Sequence, residues 1–363
     1  MTQSLRTYLQ DPLLRTLYQR VREAGPIRSI SLDITHKCNL RCIGCYYFNE
    51  DMDRFYTDDD ADLDAFIERE LQRGTNFITI VGGEPSIALR RLRKLYRHFK
   101  LSVATNGVKR IPKEGLEELP IGIALWGDPE TDKFLRGGGK IDIFSKALRH
   151  YKDDERAFWY FTVAPGQAHV IPEVVPRLLD NGNMVLFNYY SDLAGLGGAY
   201  DYRQGFDAVR EQIDRMIERY PGRILMTPYF NKVVATGKLF DMTWGYEVCT
   251  NVSTNLEMNA ERMQNGYPYN RHFRAYNADF KTTRRCCTGH QRDCASCFDT
   301  WEHFSWIMVH AKKHLRSFAH FTGWLTTVYL FYFINRLVDF QEGKELLYRI
   351  HKHPAFASLI AHE

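Results

Sequence analysis

Apolar positions recur along this chain in two alternating rhythms. Short apolar runs at 30–34, 77–81, 100–104, 121–125, 157–163, 184–188 and 224–227 read as strands. Between them lie stretches whose apolar residues return with helical spacing, at 61–73, 141–152, 169–180 and 206–219. A leading helix over 4–23 places Leu5, Leu9, Leu13, Leu14 and Leu17 roughly on one face. Repeated strand–helix units of this kind predict an α/β fold, a mostly parallel sheet closed or nearly closed into a TIM-like barrel. Side chains just beyond the C-terminal strand ends then line the reaction cavity.

Composition changes this picture little. The 363 residues are 44% hydrophobic and 25% charged, enough for one large α/β domain with a smaller appendage. A formal net charge of +4 gives no case for a nucleic-acid partner. Asp11, Arg15, Arg20 and Glu23 interrupt the N-terminal stretch, so it does not read as a secretory signal. The expected setting is reducing and cytoplasmic, where thiols serve as ligands rather than as disulfides.

The candidate chemistry lies with the cysteines, which fall into two groups. Cys38, Cys42 and Cys45 form a C-x3-C-x2-C loop directly after the first strand. Three thiolates suit a four-iron, four-sulfur cluster with one iron left open, whereas a structural zinc site needs a fourth ligand, for which His36 is the nearest candidate. The second group is Cys249, Cys286, Cys287, Cys294 and Cys297. Four thiolates from it would close an auxiliary four-iron, four-sulfur cluster: Cys249, Cys294 and Cys297 with either Cys286 or Cys287, since adjacent side chains rarely both suit one cubane. Zinc is the alternative there.

The loop CNLRCIGC resembles the signature of radical S-adenosylmethionine (radical SAM) enzymes, and three further segments match in order. Gly82-Gly83-Glu84-Pro85 follows the second strand, LSVATNG (101–107) covers the third strand and its turn, and 125–144 carries Asp132 and Arg136-Gly137-Gly138-Gly139. The match spans roughly 28–230. It implies an incomplete, six-unit barrel, with Gly82, Gly83 and Glu84 binding the amino group of the methionine portion of S-adenosylmethionine. Thr105 and Asn106 would face ribose or cluster-proximal atoms, Thr162 the methionine carboxylate and Asn188 the ribose. Each has a bland counterpart: a tight turn at 82–84, a turn cap at Thr105 and Asn106, satisfied backbone at the barrel rim for Thr162 and Asn188. Tyr189, Tyr190 and Asp192 begin the loop after the sixth strand. Tyr189 and Asp192 are candidate catalytic groups, Asp192 as a proton carrier or hydroxyl orienter, with a solvent-facing loop aspartate as its alternative.

By the same resemblance the activity is reductive cleavage of S-adenosylmethionine to a 5'-deoxyadenosyl radical, fed by an electron donor such as flavodoxin or ferredoxin. The radical then abstracts hydrogen from, or adds to, a natural-product small molecule or peptide. A lipid or nucleoside substrate, and a non-catalytic iron-sulfur or zinc protein that binds a ligand without turnover, are the competing readings. The C-terminal cysteines resemble the extensions of radical SAM peptide maturases and small-molecule tailoring enzymes. A fainter resemblance, to those that adenosylate hopanoid lipids, rests on Trp244-Gly245, Asn265-Gly266-Tyr267 and the Asp-Cys-x2-Cys segment. The chain thus divides into a helical segment 1–27, a barrel 28–235, a cysteine-rich extension 236–300 and a helical tail 301–363. Between Arg316 and Arg336 no Asp, Glu, Lys or Arg occurs. This stretch predicts a helix buried against the barrel, with peripheral membrane or lipid contact through 317–335 as the alternative.

Overall fold

The computed structural model describes residues 3–192, 204–265, 270–289 and 294–355. The leading helix is broken in two, α1 (Gln3–Tyr8) and α2 (Pro12–Ala24). The break falls at Asp11-Pro12, where Pro12 lacks the N–H that would continue the helix and Asp11 instead caps α2 by accepting the Leu14 N–H at 2.9 Å.

Six parallel strands follow: β1 (Ser29–Asp33), β2 (Phe77–Val81), β3 (Lys100–Thr105), β4 (Ile121–Trp126), β5 (Ala157–Val163) and β6 (Met184–Tyr189). The helices between them are a short α3 (Tyr46–Asn49), α4 (Asp60–Gln72), α5 (Leu89–Tyr96), α6 (Pro129–Leu135), α7 (Ile143–His150) and α8 (Val170–Asp180), with α9 (Asp207–Arg219) and α10 (Pro228–Thr236) after β6. The sheet is open, as the six-unit reading requires. The expected seventh apolar run, 224–227, forms only a single bridge, Ile224 to Val185. Pro221 and Gly222 precede it and Thr227 already caps α10, so too few residues remain for a strand.

Beyond the barrel come a two-stranded ribbon, β7 (Lys238–Leu239) and β8 (Met242–Thr243), a short α11 (Ala260–Gln264), and two strands that sequence periodicity does not reveal, β9 (Ala275–Tyr276) and β10 (Thr283–Arg284). These last two extend the main sheet, whose order is β10-β9-β1-β2-β3-β4-β5-β6. The cysteine-rich extension is therefore built onto the free edge of β1. A fully buried ion pair, Arg284 Nη2 to Asp33 Oδ1 at 2.8 Å, joins its last strand to the end of β1.

The tail forms α12 (Thr300–Met308), α13 (Ala311–His314), α14 (Phe318–Ile334) and α15 (Phe340–His351). At the opposite edge of the sheet, Thr300 Oγ1 donates to the Phe187 carbonyl of β6 at 2.9 Å and so covers that edge. Helix α14 is the uncharged stretch; it is buried along most of its length against α2, α10, α12 and α15. The hydroxyls of Thr322, Thr326 and Thr327 bond back to carbonyls within the helix. Among the described residues no helix is long and apolar enough to cross a membrane. Gly266 and Tyr267, part of the faint lipid-enzyme resemblance, lie outside the described residues.

Candidate active site

The cysteine loop leaves β1 and crosses over the turn that leaves β2. Gly83 N–H donates to the Thr35 carbonyl and Glu84 N–H to the Lys37 carbonyl, both at 2.9 Å. A Cβ on Gly83 would sit 2.1 Å from the Lys37 oxygen, and one on Gly82 (φ +112°) 2.8 Å from the Thr35 oxygen. The backbone approach that these glycines permit is thus made by the cysteine loop itself. Glu84, 1% exposed, turns its carboxylate toward the end of β3. Its Oε1 accepts from Ser86 N–H (2.9 Å) and Thr105 Oγ1 (2.6 Å), and its Oε2 from Asn106 N–H (2.8 Å). An ionised carboxylate offers about four acceptor positions, which leaves room for a ligand.

Asn106 completes the connection. Its Nδ2 reaches Asn39 Oδ1 at 2.7 Å and Cys38 Sγ at 3.9 Å, while its Oδ1 accepts Val108 N–H at 3.0 Å. Loop, Gly-Gly-Glu turn and third-strand turn therefore form one hydrogen-bonded unit at the C-terminal ends of β1, β2 and β3. The α6 end supports the loop from the side: Ile43 N–H bonds to the Leu135 carbonyl at 2.7 Å, and the Cys42 thiol lies 4.0 Å from the Arg136 carbonyl. A buried bidentate pair, Arg136 to Asp132 at 2.7 and 3.1 Å, fixes that turn. Burial pushes all three thiols up, Cys42 to about 12, and backbone N–H groups of Phe48 and Tyr47 counteract it at Cys45. Bound iron reverses that balance, because a coordinating thiol is deprotonated outright.

The later strand ends are tied to the tail. Asn188 Oδ1 accepts from Tyr160 OH (3.0 Å), Thr300 N–H (3.1 Å) and Thr300 Oγ1 (3.1 Å), while its Nδ2 donates to Thr162 Oγ1 at 3.3 Å. Tyr160 OH also reaches Asp299 Oδ2 at 3.3 Å. Asp192 stands at the mouth, 3.3 Å from Tyr190 OH. Tyr189 is placed elsewhere: it is fully buried, packs edge-on to Phe206 and gives its hydroxyl to Asn231 of α10 at 2.5 Å, on the outer-helix side of the sheet.

In the second cysteine group, Cys249, Cys286 and Cys297 are buried, while Cys287 and Cys294 are half-buried. Two of them flank a carboxylate the sequence did not single out. Glu302, 3% exposed in the first turn of α12, contacts the Cys287 thiol through Oε1 and lies 3.6 Å from Cys249 Sγ through Oε2. Burial, reinforced by Asp299, pushes Glu302 up to about 8. Among the described residues no three His, Cys, Asp or Glu side chains converge as a single chelated ion demands. A cubane demands something different, one ligand on each of several irons.

No family model matches the chain. A protein named probable GTP 3',8-cyclase, from Methanococcus maripaludis strain C7, is 29% identical over 141 residues, 35% of this chain and 46% of that protein. Fe-coproporphyrin III synthase from Methanosarcina barkeri is 24% identical over 231 residues, 58% of this chain and 57% of that one. The chain spans about half the length of the curated relatives it matches. Among solved structures, anSMEcpe with bound AdoMet aligns with TM-score 0.51 at 18% identity, covering 82% of this chain and 84% of that one, a likeness of fold. The relatives that it matches in sequence are radical SAM enzymes. Superfamily cofactors, S-adenosylmethionine and a four-iron, four-sulfur cluster, suit the donor set found here: three thiols in one loop, a carboxylate beside them and glycines that bring the two together.

Asn39, Tyr160, Asp299 and Glu302 join the candidate site in the fold although the sequence left them unmarked. Asp299 and Glu302 carry a signal, but it points to another role. Their spacing is that of a helix N-cap box, and Asp299 does cap α12 through the N–H groups of Trp301 (2.9 Å) and Glu302 (3.4 Å). Only the fold reveals that Glu302 faces thiols.

Proposed function

We propose that this protein is a radical SAM enzyme that modifies a carbon of a small molecule or peptide at the C-terminal strand ends, beside the cysteine loop. The observation that carries the reading is the single unit formed by Cys38, Asn39, Glu84 and Asn106 across three strand ends. Cys38, Cys42 and Cys45 would hold the cluster, and Glu84 with the Gly82–Gly83 backbone would hold the methionine amino group. Bound there, cluster and S-adenosylmethionine supply one-electron chemistry that no side chain provides.

The protein's own residues set the surroundings. Asn106 orients Asn39 and Cys38, while Asp132 and Arg136 hold the turn that carries Cys42. Asn188, Tyr160 and Asp299 form a polar cluster where β5, β6 and α12 meet, with Asn188 Oδ1 (3.0 Å) and Asp299 Oδ2 (3.3 Å) as alternative acceptors for the one Tyr160 hydroxyl proton. Asp192, at the mouth, would orient a substrate hydroxyl. In the extension, Cys249, Cys286 or Cys287, Cys294 and Cys297 would hold an auxiliary iron-sulfur cluster. Burial of Cys249, Cys286 and Cys297 suits an electron carrier or a substrate anchor better than a solvent-exposed structural site.

Anaerobic incubation with dithionite and S-adenosylmethionine tests the reading. More than one equivalent of 5'-deoxyadenosine per chain is expected from the wild type and almost none from Cys42→Ala. A fully reconstituted wild type that never cleaves S-adenosylmethionine, with candidate substrates present, would overturn it.

A further inference from the structure

Glu302 is an unusual neighbour for a four-cysteine site. Its helix is fixed at the start by three contacts: Asp299 caps it, Thr300 Oγ1 holds the β6 edge at 2.9 Å, and Thr300 N–H bonds to Asn188 at 3.1 Å. The Glu302 side chain, two residues beyond Thr300, therefore enters the cysteine group at a fixed depth. Its two oxygens address thiols from two separate loops, Cys287 and Cys249. Cys286 lies close by, and the Asn251 amide hydrogen-bonds to the Glu302 carboxylate.

Apart from the Asn251 amide, the neighbours that its oxygens contact are the Cys249 and Cys287 thiols, weak hydrogen-bond donors that compensate a buried carboxylate poorly. Buried charges in proteins are paired or coordinate metals. Arg262, fully buried beside Cys249 and Cys294, brings a positive charge to the edge of the group, as an anionic cluster would require. Cys286 is differently engaged: its Sγ lies 3.4 Å from Thr288 Oγ1 and 3.7 Å from the Gly289 carbonyl.

We infer that Glu302 is an oxygen ligand of the C-terminal iron-sulfur site, binding one iron through the carboxylate that contacts Cys249 and Cys287, so that three thiolates of the group and this one carboxylate hold the four irons and a fourth cysteine is not needed as a ligand. The inference rests on the reading of that group as an iron-sulfur site. A carboxylate is a harder ligand than a thiolate, so the iron it holds differs from its neighbours and is the first to be lost to a chelator.

The experiment uses the full chain with Cys38, Cys42 and Cys45 replaced by Ala, which leaves the C-terminal site alone to report. After anaerobic reconstitution, iron, sulfide and zinc are measured and electron paramagnetic resonance spectra recorded, for this parent and for the same chain with Glu302→Gln or Glu302→Cys. The parent is expected to hold about four irons and four sulfides. Glu302→Gln should fall to about three irons and show a three-iron signal on mild oxidation, while Glu302→Cys should keep about four irons with an altered spectrum. A Glu302→Gln variant with the parent's iron content and spectrum overturns the ligand assignment and leaves the cluster standing. A parent with zinc and no sulfide, or with no metal, overturns both. Should Glu302→Gln fail to fold by circular dichroism, Glu302→Cys decides: an altered spectrum supports ligation, and the parent's spectrum overturns it.

Discussion

Glu84 shows how one side chain can serve the frame and the ligand together. Three donors from two segments converge on its carboxylate, and replacement by Gln turns one acceptor oxygen into a donor facing a donor. Leaving a buried donor unmet costs about 1–3 kcal/mol. Glu84→Gln is therefore expected to keep most of its iron, because no cysteine is touched, yet to bind S-adenosylmethionine at least tenfold more weakly. Equilibrium binding alongside iron analysis checks both halves, and unchanged binding would reduce Glu84 to a turn former. At this scale the sequence was legible in identity and opaque in partner. Gly82 and Gly83 announced a close backbone approach, but only the fold says that Thr35 and Lys37 make it. Glu302 carried a helix-cap spacing that concealed its contact with two thiols distant in sequence.

Among the elements, the parallel strands were legible because each is short, rich in apolar residues and mostly buried, even where Ser31 in β1 or Ser102 in β3 interrupts the run. Strands β9 and β10, two residues each, are too short to show a period, and the run at 224–227 shows how an apolar segment squeezed between two prolines fails to become a strand. Helix α14 was legible as buried, and its packing can be tested at Gly323. A Cβ there would meet the Tyr229 ring at 2.6 Å, and that ring is held in turn by a 2.7 Å bond between its hydroxyl and His314 Nε2. Gly323→Ala should lower stability by about 1–3 kcal/mol, read from the urea midpoint, through overpacking. Helix α15 docks through His351, whose Nδ1 accepts the Gly222 N–H at 2.9 Å and whose Nε2 lies 3.0 Å from the Met226 carbonyl. Burial pushes this imidazole down to about 4. The unfolded chain, with histidine near 6.5, binds the extra proton between about pH 4 and 6.5, so His351's contribution is full above that window and is lost as pH falls through it. His351→Gln keeps a donor and an acceptor but cannot titrate. Its urea midpoint should fall less steeply than the wild type's between pH 6.5 and 4.5, and parallel curves would exclude His351 as a source of the acid sensitivity.

For the molecule as a whole, the extension is part of the barrel rather than a separate cap. It supplies two strands to the sheet beside β1, and the tail covers the edge at β6. Asp33 and Arg284 hold the first join. Burial pushes Asp33 up to about 6 even with the guanidinium beside it. Arg284→Met should cost about 3–5 kcal/mol by leaving an uncompensated buried carboxyl, while the double variant Asp33→Asn with Arg284→Met should recover much of that loss. Chemical unfolding of both variants tests the coupling, and equal losses would mean that the two residues act independently.

That same join imposes an order of events on biosynthesis. Strand β1 emerges early, but the strand that pairs with its outer edge lies some 240 residues later; at about 5–20 residues per second the ribosome needs roughly 10–50 s to reach it. Through this interval the edge of β1 stays uncovered, and Cys38, Cys42 and Cys45 stand beside an unfinished wall. Asp33 at the end of β1 thus waits for Arg284 until nearly the whole chain has been made, so the buried pair that joins the two is among the last contacts of the sheet to form.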